Sequence, residues 1–159
     1  PSWSRGLGDV YKRQKLKDLW WESRGGRIRL PEHLSEEKYR DPSKHGEPGI
    51  TFGRQIGAYP ILVGVPYAIP LESGSDIVVT GHGMRSISGI EYGLDINHAT
   101  KSQLQALPGI GDKSSWKIIS NRARRANKNQ GSFASVEEAF SEAGVTMPPL
   151  APEVFVTTH

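Results

Sequence analysis

The spacing of apolar positions changes character near residue 93. Before it, apolar residues come in short runs bounded by Gly or Pro. After it they recur every three or four positions. In the first part, Lys15–Glu22 (KLKDLWWE), Gly49–Ile56 (GITFGRQI), Tyr59–Val65 (YPILVGV), Asp76–Thr80 (DIVVT) and Gly83–Glu91 (GMRSISGIE) are β-branched or aromatic and read as strands. Arg27–Leu30 alternates charged and apolar residues. Pro31–Pro48 is polar and reads as a loop, with a helical turn at Ser35–Tyr39. Strands at intervals of about ten residues, with turn signals between them, predict a small antiparallel β-barrel. Gly53, Gly57, Gly64 and Gly89 lie where such a barrel bends or bulges.

Beyond Tyr92-Gly93 the period is helical. Thr100-x-x-Gln103 has the form of a capping box and opens a helix that carries Leu104 and Leu107 and stops at Pro108-Gly109. A second helix is predicted from Asp112 to Ala126, with Trp116/Ile119 and Ile118/Arg122 at helical spacing. Ser135-x-x-Glu138 opens a third, which Gly144 closes. Prolines at 148, 149 and 152 exclude a helix interior there, and Val154–Thr158 reads as a last strand or a frayed tail. The expected fold class is α+β: a barrel over 15–93, then an all-α domain over 94–147 and a Pro-rich tail over 148–159.

Composition narrows the chemistry. None of the 159 residues is cysteine, which excludes a thiol nucleophile, a disulfide scaffold and cysteine ligation of zinc or iron–sulfur in this chain. The five histidines lack metal-ligand spacing. There is no apolar run of transmembrane length and no secretory leader, so a cytoplasmic location is expected. The net charge of +3 hides a local concentration: residues 101–130 hold seven bases against one acid, a net of +6. The stretch after it carries Glu137, Glu138, Glu142 and Glu153 and no Lys or Arg. That distribution is expected of a polyanion site, or of a solvated helix face.

The segment Leu104–Ile118 gives the charge a shape. Two apolar residues three apart are followed by Pro108-Gly109-Ile110-Gly111 and a helix. Glycines permit positive φ and let a ligand approach bare backbone. Ile110 between them is expected to plug inward. The first turn of the next helix offers free N–H groups to an anion. Gly109, Ile110 and Gly111 are therefore the candidate phosphate contacts, with Lys113, Lys117, Arg122 and Arg125 supplying charge. Such contact grips a backbone and reads no base. Asp112 is ambiguous, because a carboxylate there either favours the helix dipole or competes with the phosphate.

This pattern is the helix–hairpin–helix signature. Leu94–Val145 resembles the helix–hairpin–helix domain of bacterial competence DNA receptors, through LDIN-x-AT, LPGIG, the Ile118/Arg122 spacing and Phe133-x-Ser-Val-Glu-Glu. The family often has a Pro where Asp112 stands, and a second Gly-apolar-Gly hairpin where this chain has Gly144-Val145-Thr146. Upstream, GRQIGAYPILVGVP and DIVVTGHGMRSISGIE, running into LDIN-x-AT, look like the C-terminal part of mostly archaeal radical S-adenosylmethionine proteins. The barrel itself is similar to the OB/TRAM-like barrels appended to radical methylthiotransferases. The resemblance implies a 4Fe–4S cluster and S-adenosylmethionine held by an upstream domain, ligated by a Cys-x-x-x-Cys-x-x-Cys motif that this chain lacks. In the family pattern Arg54, Gln55, His82, Arg85 and Ser86 fall within the matching motif, where they line a ligand or nucleic-acid surface or are strand-edge polar residues facing solvent.

The first residue is Pro1, and Met84 and Met147 are the only methionines. Pro1–Gln14 resembles translated sequencing adapter and is set aside from the fold. The expectation is a non-catalytic C-terminal piece that binds DNA or structured RNA for an upstream radical S-adenosylmethionine domain. A competence-type receptor or repair factor as parent, and a docking module that binds no nucleic acid, are the alternatives. The Gly81-His82-Gly83 triplet reads as a turn. Trp20 and Trp21, adjacent in a strand, point one to the core and one outward, where the outer ring stacks on a base or covers an interface.

Overall fold

The computed structural model describes residues 13–22, 44–55, 62–71, 76–82 and 86–157. Outside them lie residues 1–12, Arg27–Leu30, Ser35–Tyr39 where a helical turn is expected, most of the expected polar loop, and Arg85. The side chains of Trp20, Trp21 and Gln55 lie outside them as well. The chain divides into two compact units, Pro1–Glu91 and Tyr92–His159.

Among the described residues unit one is a sheet of five strands: β1 (Arg13–Glu22), β2 (Pro48–Gln55), β3 (Leu62–Tyr67), β4 (Asp76–His82) and β5 (Ser86–Glu91). They pair in the order β1-β2-β3-β5-β4, and β1 also meets β4 over Arg13–Lys15. Arg13 and Gln14 therefore belong to β1, opposite Val78 and Ile77, and are not part of a leader outside the fold. The mixed α+β order, strands first and helices after, is as expected. The uniform antiparallel pairing is not: β3 and β5 run parallel, with Leu62 opposite Ser86 and Gly64 opposite Ser88. The physical reason lies in β3 itself. Leu62, Val63, Gly64 and Val65 are all buried, so the strand is covered on both faces, which suits parallel pairing.

The core of this unit is Phe52, Val63, Val65, Tyr67, Ile77 and Ile90, all without solvent exposure. Each such side chain contributes about 1.5–3 kcal/mol on burial. Gly89 permits the close approach of β4 and β5, since a Cβ there would fall 2.6 Å from Ile77 Cδ1. Gly81 lies within β4, where the register with β5 shifts, and is not part of a turn. The buried polar groups are paired. Thr51 Oγ1 donates to the Tyr67 carbonyl (2.8 Å) and accepts from the Ile69 N–H (3.0 Å). The Tyr67 hydroxyl accepts from the Glu91 N–H at 2.8 Å.

His45 lies 2.5 Å from the Glu91 carboxylate and stacks beside Tyr67. The hydrogen bond to Glu91 raises the His45 pKa above its ordinary 6.5, against the opposing effect of burial. A raised folded-state pKa means the pair's stabilisation is complete below pH 6.5 and is lost as pH rises through the folded value. The imidazole is 46% exposed, so the contribution is discounted to about 0.5 kcal/mol or less. Denaturant titrations between mildly acidic and mildly basic pH are expected to show that decline, and His45→Ala to flatten it. A slope of opposite sign would rule the pair out as its source.

Unit two begins with β6 (Leu94–Asp95) and continues with α1 (Lys101–Ala106), α2 (Asp112–Asn127), α3 (Val136–Ala143), α4 (Ala151–Val154) and β7 (Phe155–Val156). The Thr100 capping box is complete. Thr100 Oγ1 accepts from the Gln103 N–H at 3.1 Å, and Gln103 Oε1 accepts from the Thr100 N–H at 2.9 Å. The Ser135 box is half formed, because Ser135 caps Glu138 N–H while the Glu138 carboxylate turns to the Ala134 N–H. Gly144 closes α3 in the left-handed region. The tail is not separate from the helical domain. β7 pairs in parallel with β6, Ala151, Val154 and Phe155 are buried, and Phe155 packs on Phe140 with ring centroids 6.4 Å apart. Pro152 sits in the first turn of α4, where its missing N–H costs nothing.

Candidate nucleic-acid interface

The hairpin between α1 and α2 is built from its apolar residues outward. Leu104, Leu107, Ile110 and Ile118 are buried. Leu107 is extended because Pro108 follows it, which ends α1. Ile110 plugs inward as expected, and its N–H donates to the Leu107 carbonyl at 3.1 Å. The two glycines serve different ends. Gly109 has φ +100°, and a Cβ on it would lie 3.1 Å from Pro148 Cγ, so both backbone and packing require glycine. Gly111 has φ −98° and ψ −166°, which any residue adopts, and a Cβ there would meet nothing within 4 Å. The expectation of positive φ at both glycines holds only for Gly109.

Gly111 is the N-cap of α2 and no side chain caps it. The first-turn N–H groups of a helix have no intrahelical acceptor, and here they lie behind a residue with no side chain. Asp112 does not cap. Its carboxylate is exposed and sits 2.5 Å from Lys101 Nζ, which lowers its pKa. Lys113 and Lys117 are exposed on the same helix.

The two arginines are not surface charge. Arg122 is turned inward, donating to the carbonyls of Ile96 (3.2 Å) and Ala99 (2.7 Å). Burial lowers its pKa while Asp95 opposes that shift, and a guanidinium so placed braces α2 against the segment before α1. Arg125 is 11% exposed. It donates to the carbonyls of Gly131 and Ser132 at 3.0 and 3.1 Å, and pairs with Glu138 (3.2 Å) and Glu142 (2.5 Å). Its guanidinium lies 5.1 Å from the Phe133 ring centroid. Both, expected to supply charge beside the hairpin, are instead held as braces within the fold. The +6 segment resolves into Lys113, Lys117, Arg124 and Lys128, exposed and without an ion pair among the described residues.

The LDIN-x-AT residues are structural too. Asp95 accepts from the Asn97 N–H at 2.9 Å, and the Asn97 amide accepts from the Phe133 N–H at 2.8 Å and donates to its carbonyl at 3.3 Å. Of the expected barrel surface, Arg54 is half-buried on β2 and His82 is exposed at the end of β4, while the Gln55 side chain and Arg85 lie outside the described residues. After Gly144 the chain runs to the four-residue α4, so a second hairpin leading into a long helix is absent from the described residues.

One exposed residue escaped the reading of the sequence. Trp116 fits the helical period of α2, yet it is 61% exposed. Periodicity marks a stripe on a helix. It does not say whether the rest of the fold is wide enough to cover it.

Among the described residues no helix is long and apolar enough to cross a membrane. No solved structure matches the chain. A stretch of 60 residues is 42% identical to an uncharacterized protein of Archaeoglobus fulgidus, covering 38% of this chain and 11% of that protein. Residues 90–139 match the family model for the helix-hairpin-helix motif, the span whose backbone forms the hairpin between α1 and α2.

Proposed function

We propose that this chain is a non-catalytic nucleic-acid-binding appendage, and that its hairpin grips the phosphate backbone without reading sequence. The observation that carries this is Gly111. The fold does not need glycine there, since a Cβ would have open space and the backbone is extended. A bare residue in front of an uncapped helix N-terminus is what an approaching phosphate needs. Lys113 and Lys117 supply charge beside it, and the motif match supports nucleic acid as the ligand.

With Lys113 and Lys117 nearest the hairpin and Arg124 and Lys128 further along, the site engages about two to four phosphates. Its affinity for duplex DNA is expected to fall with salt at a log–log slope of roughly −2 to −4. Fluorescence anisotropy over a salt series measures this. Absence of binding to duplex DNA, hairpin RNA and single strands at low salt would refute the reading.

The finer reading is that the five-stranded sheet is an OB/TRAM-like barrel. Its strand order, with β1 returning to β4, supports that, and OB-type barrels bind oligonucleotides. The parent would be a radical S-adenosylmethionine protein, on the resemblance of residues 49–120. The archaeal relative, in which the matched stretch is 11% of the length, is consistent with a much longer parent. This chain has no cysteine and does not fit a thiolate-ligated cluster, so a 4Fe–4S cluster and S-adenosylmethionine would belong to an upstream domain. A Cys-x-x-x-Cys-x-x-Cys motif in the upstream reading frame tests this. A transmembrane segment there would favour a competence-type receptor instead.

A further inference from the structure

We propose that Trp116 and the apolar strip behind it on α2 receive an unpaired DNA base, so that unit two prefers DNA with a single-stranded gap over continuous duplex. The proposal rests on the phosphate-binding reading above and extends it to a class of substrate. Among the described residues Trp116 is the most exposed large hydrophobic side chain, at 61%. A lone exposed ring is ordinary, and what makes this one informative is the continuity of apolar surface behind it. Ile119, Ser120 and Ala123 follow it three, four and seven positions later, on the same helix face. Together with Arg124 and Asn127 they form one open, largely apolar face of α2.

The charge around this face selects the occupant. Arg124 and Lys128 line it, Lys113 and Lys117 adjoin it on the same helix, and the one adjoining acid, Asp112 a turn before Trp116, is paired with Lys101. An apolar floor inside a cationic rim suits a base attached to phosphates. A second copy of this chain would set the same cations against each other. Trp116 follows Gly111 by five residues, about 7.5 Å along the helix axis. A phosphate at the first turn of α2 and a base on the indole are then about a nucleotide apart. In continuous duplex every base is already stacked and offers Trp116 no face. An unpaired base does, and stacking of this kind tolerates any sequence.

The test uses the full chain and two labelled DNAs, a duplex and the same duplex interrupted by a short single-stranded gap. Wild type is expected to bind the gapped DNA about tenfold more tightly. Trp116→Ala should erase that difference and leave duplex affinity within about twofold, while Trp116→Phe, which keeps a ring, retains most of it. Gly111→Val should weaken both substrates alike. Equal wild-type affinity for the two DNAs overturns the proposal. So does an equal loss on both with Trp116→Ala, or a change in sedimentation with that variant and none in DNA binding. If duplex is bound through Gly111 without a gap preference, only this proposal fails. If neither DNA is bound and Gly111→Val changes nothing, the phosphate reading fails first.

Discussion

Arg125→Ala is expected to destabilise the helical unit rather than merely weaken its ligand binding. The guanidinium takes the carbonyls of Gln130, Gly131 and Ser132 and holds the loop after α2 against the helix. It also neutralises Glu138 and Glu142 on α3 and covers the fully buried Phe133. Truncation leaves two carboxylates facing each other and three carbonyls without their donor. The two glutamates are each 34% exposed and the three carbonyls lie on exposed residues, so water replaces part of what the guanidinium held and the loss is about 1–3 kcal/mol. For a unit of this size each kcal/mol shifts Tm by about 4–8 °C, so the drop should be on the order of 10 °C. Circular dichroism of the helical signal measures it. Lys in the same place keeps the charge but not the planar fork, and should recover only part of the loss. Arg124→Ala, at an exposed position, should leave Tm within about 2–4 °C. An Arg125→Ala protein that melts like wild type but no longer binds DNA would return Arg125 to the interface.

That outcome also marks where the sequence was legible. Thr100-x-x-Gln103, Pro108-Gly109 and Gly144 act within a few residues of themselves, so their backbone consequences were visible in the string. The partners of Arg125 lie 13 and 17 residues downstream on another helix. A window that counted bases could not see that acids from the next segment consume one of them. Arg122 was hidden for the same reason, its acceptors lying 26 and 23 residues upstream. The parallel pairing of β3 with β5 skips a strand, and turn signals say nothing about such pairs. Its trace was the unbroken apolar run in β3, which differs from the alternation of a half-exposed strand. Pro1–Gln14 has no clear amphipathic period, and periodicity does not register the backbone pairing that holds Arg13 and Gln14 against β4.

Gly111→Val should lower duplex affinity by about ten- to a hundredfold while costing the fold only the roughly 1 kcal/mol by which Val is a poorer N-cap than Gly, whereas Gly109→Ala should act chiefly through stability. The two glycines stand two residues apart in one motif and separate folding from binding. At Gly109 an L side chain is strained at φ +100° and meets Pro148 at 3.1 Å, which together cost about 1–3 kcal/mol. At Gly111 the backbone is already extended and the added atoms enter open space. That space is where a phosphate would reach the N–H groups of α2. Hydrogen bonds to a charged group contribute about 1.5–3 kcal/mol, and 1.4 kcal/mol is tenfold in affinity. Anisotropy and thermal melts on both variants measure the two effects side by side. If Gly111→Val binds duplex like wild type while remaining folded, the phosphate does not sit at the hairpin, and the glycine there serves neither the fold nor this ligand. If it unfolds, the open space at Gly111 is misjudged and the separation of roles collapses. The expected pattern, a folded protein that no longer grips DNA, assigns the bare backbone at Gly111 to the ligand and the strained turn at Gly109 to the fold.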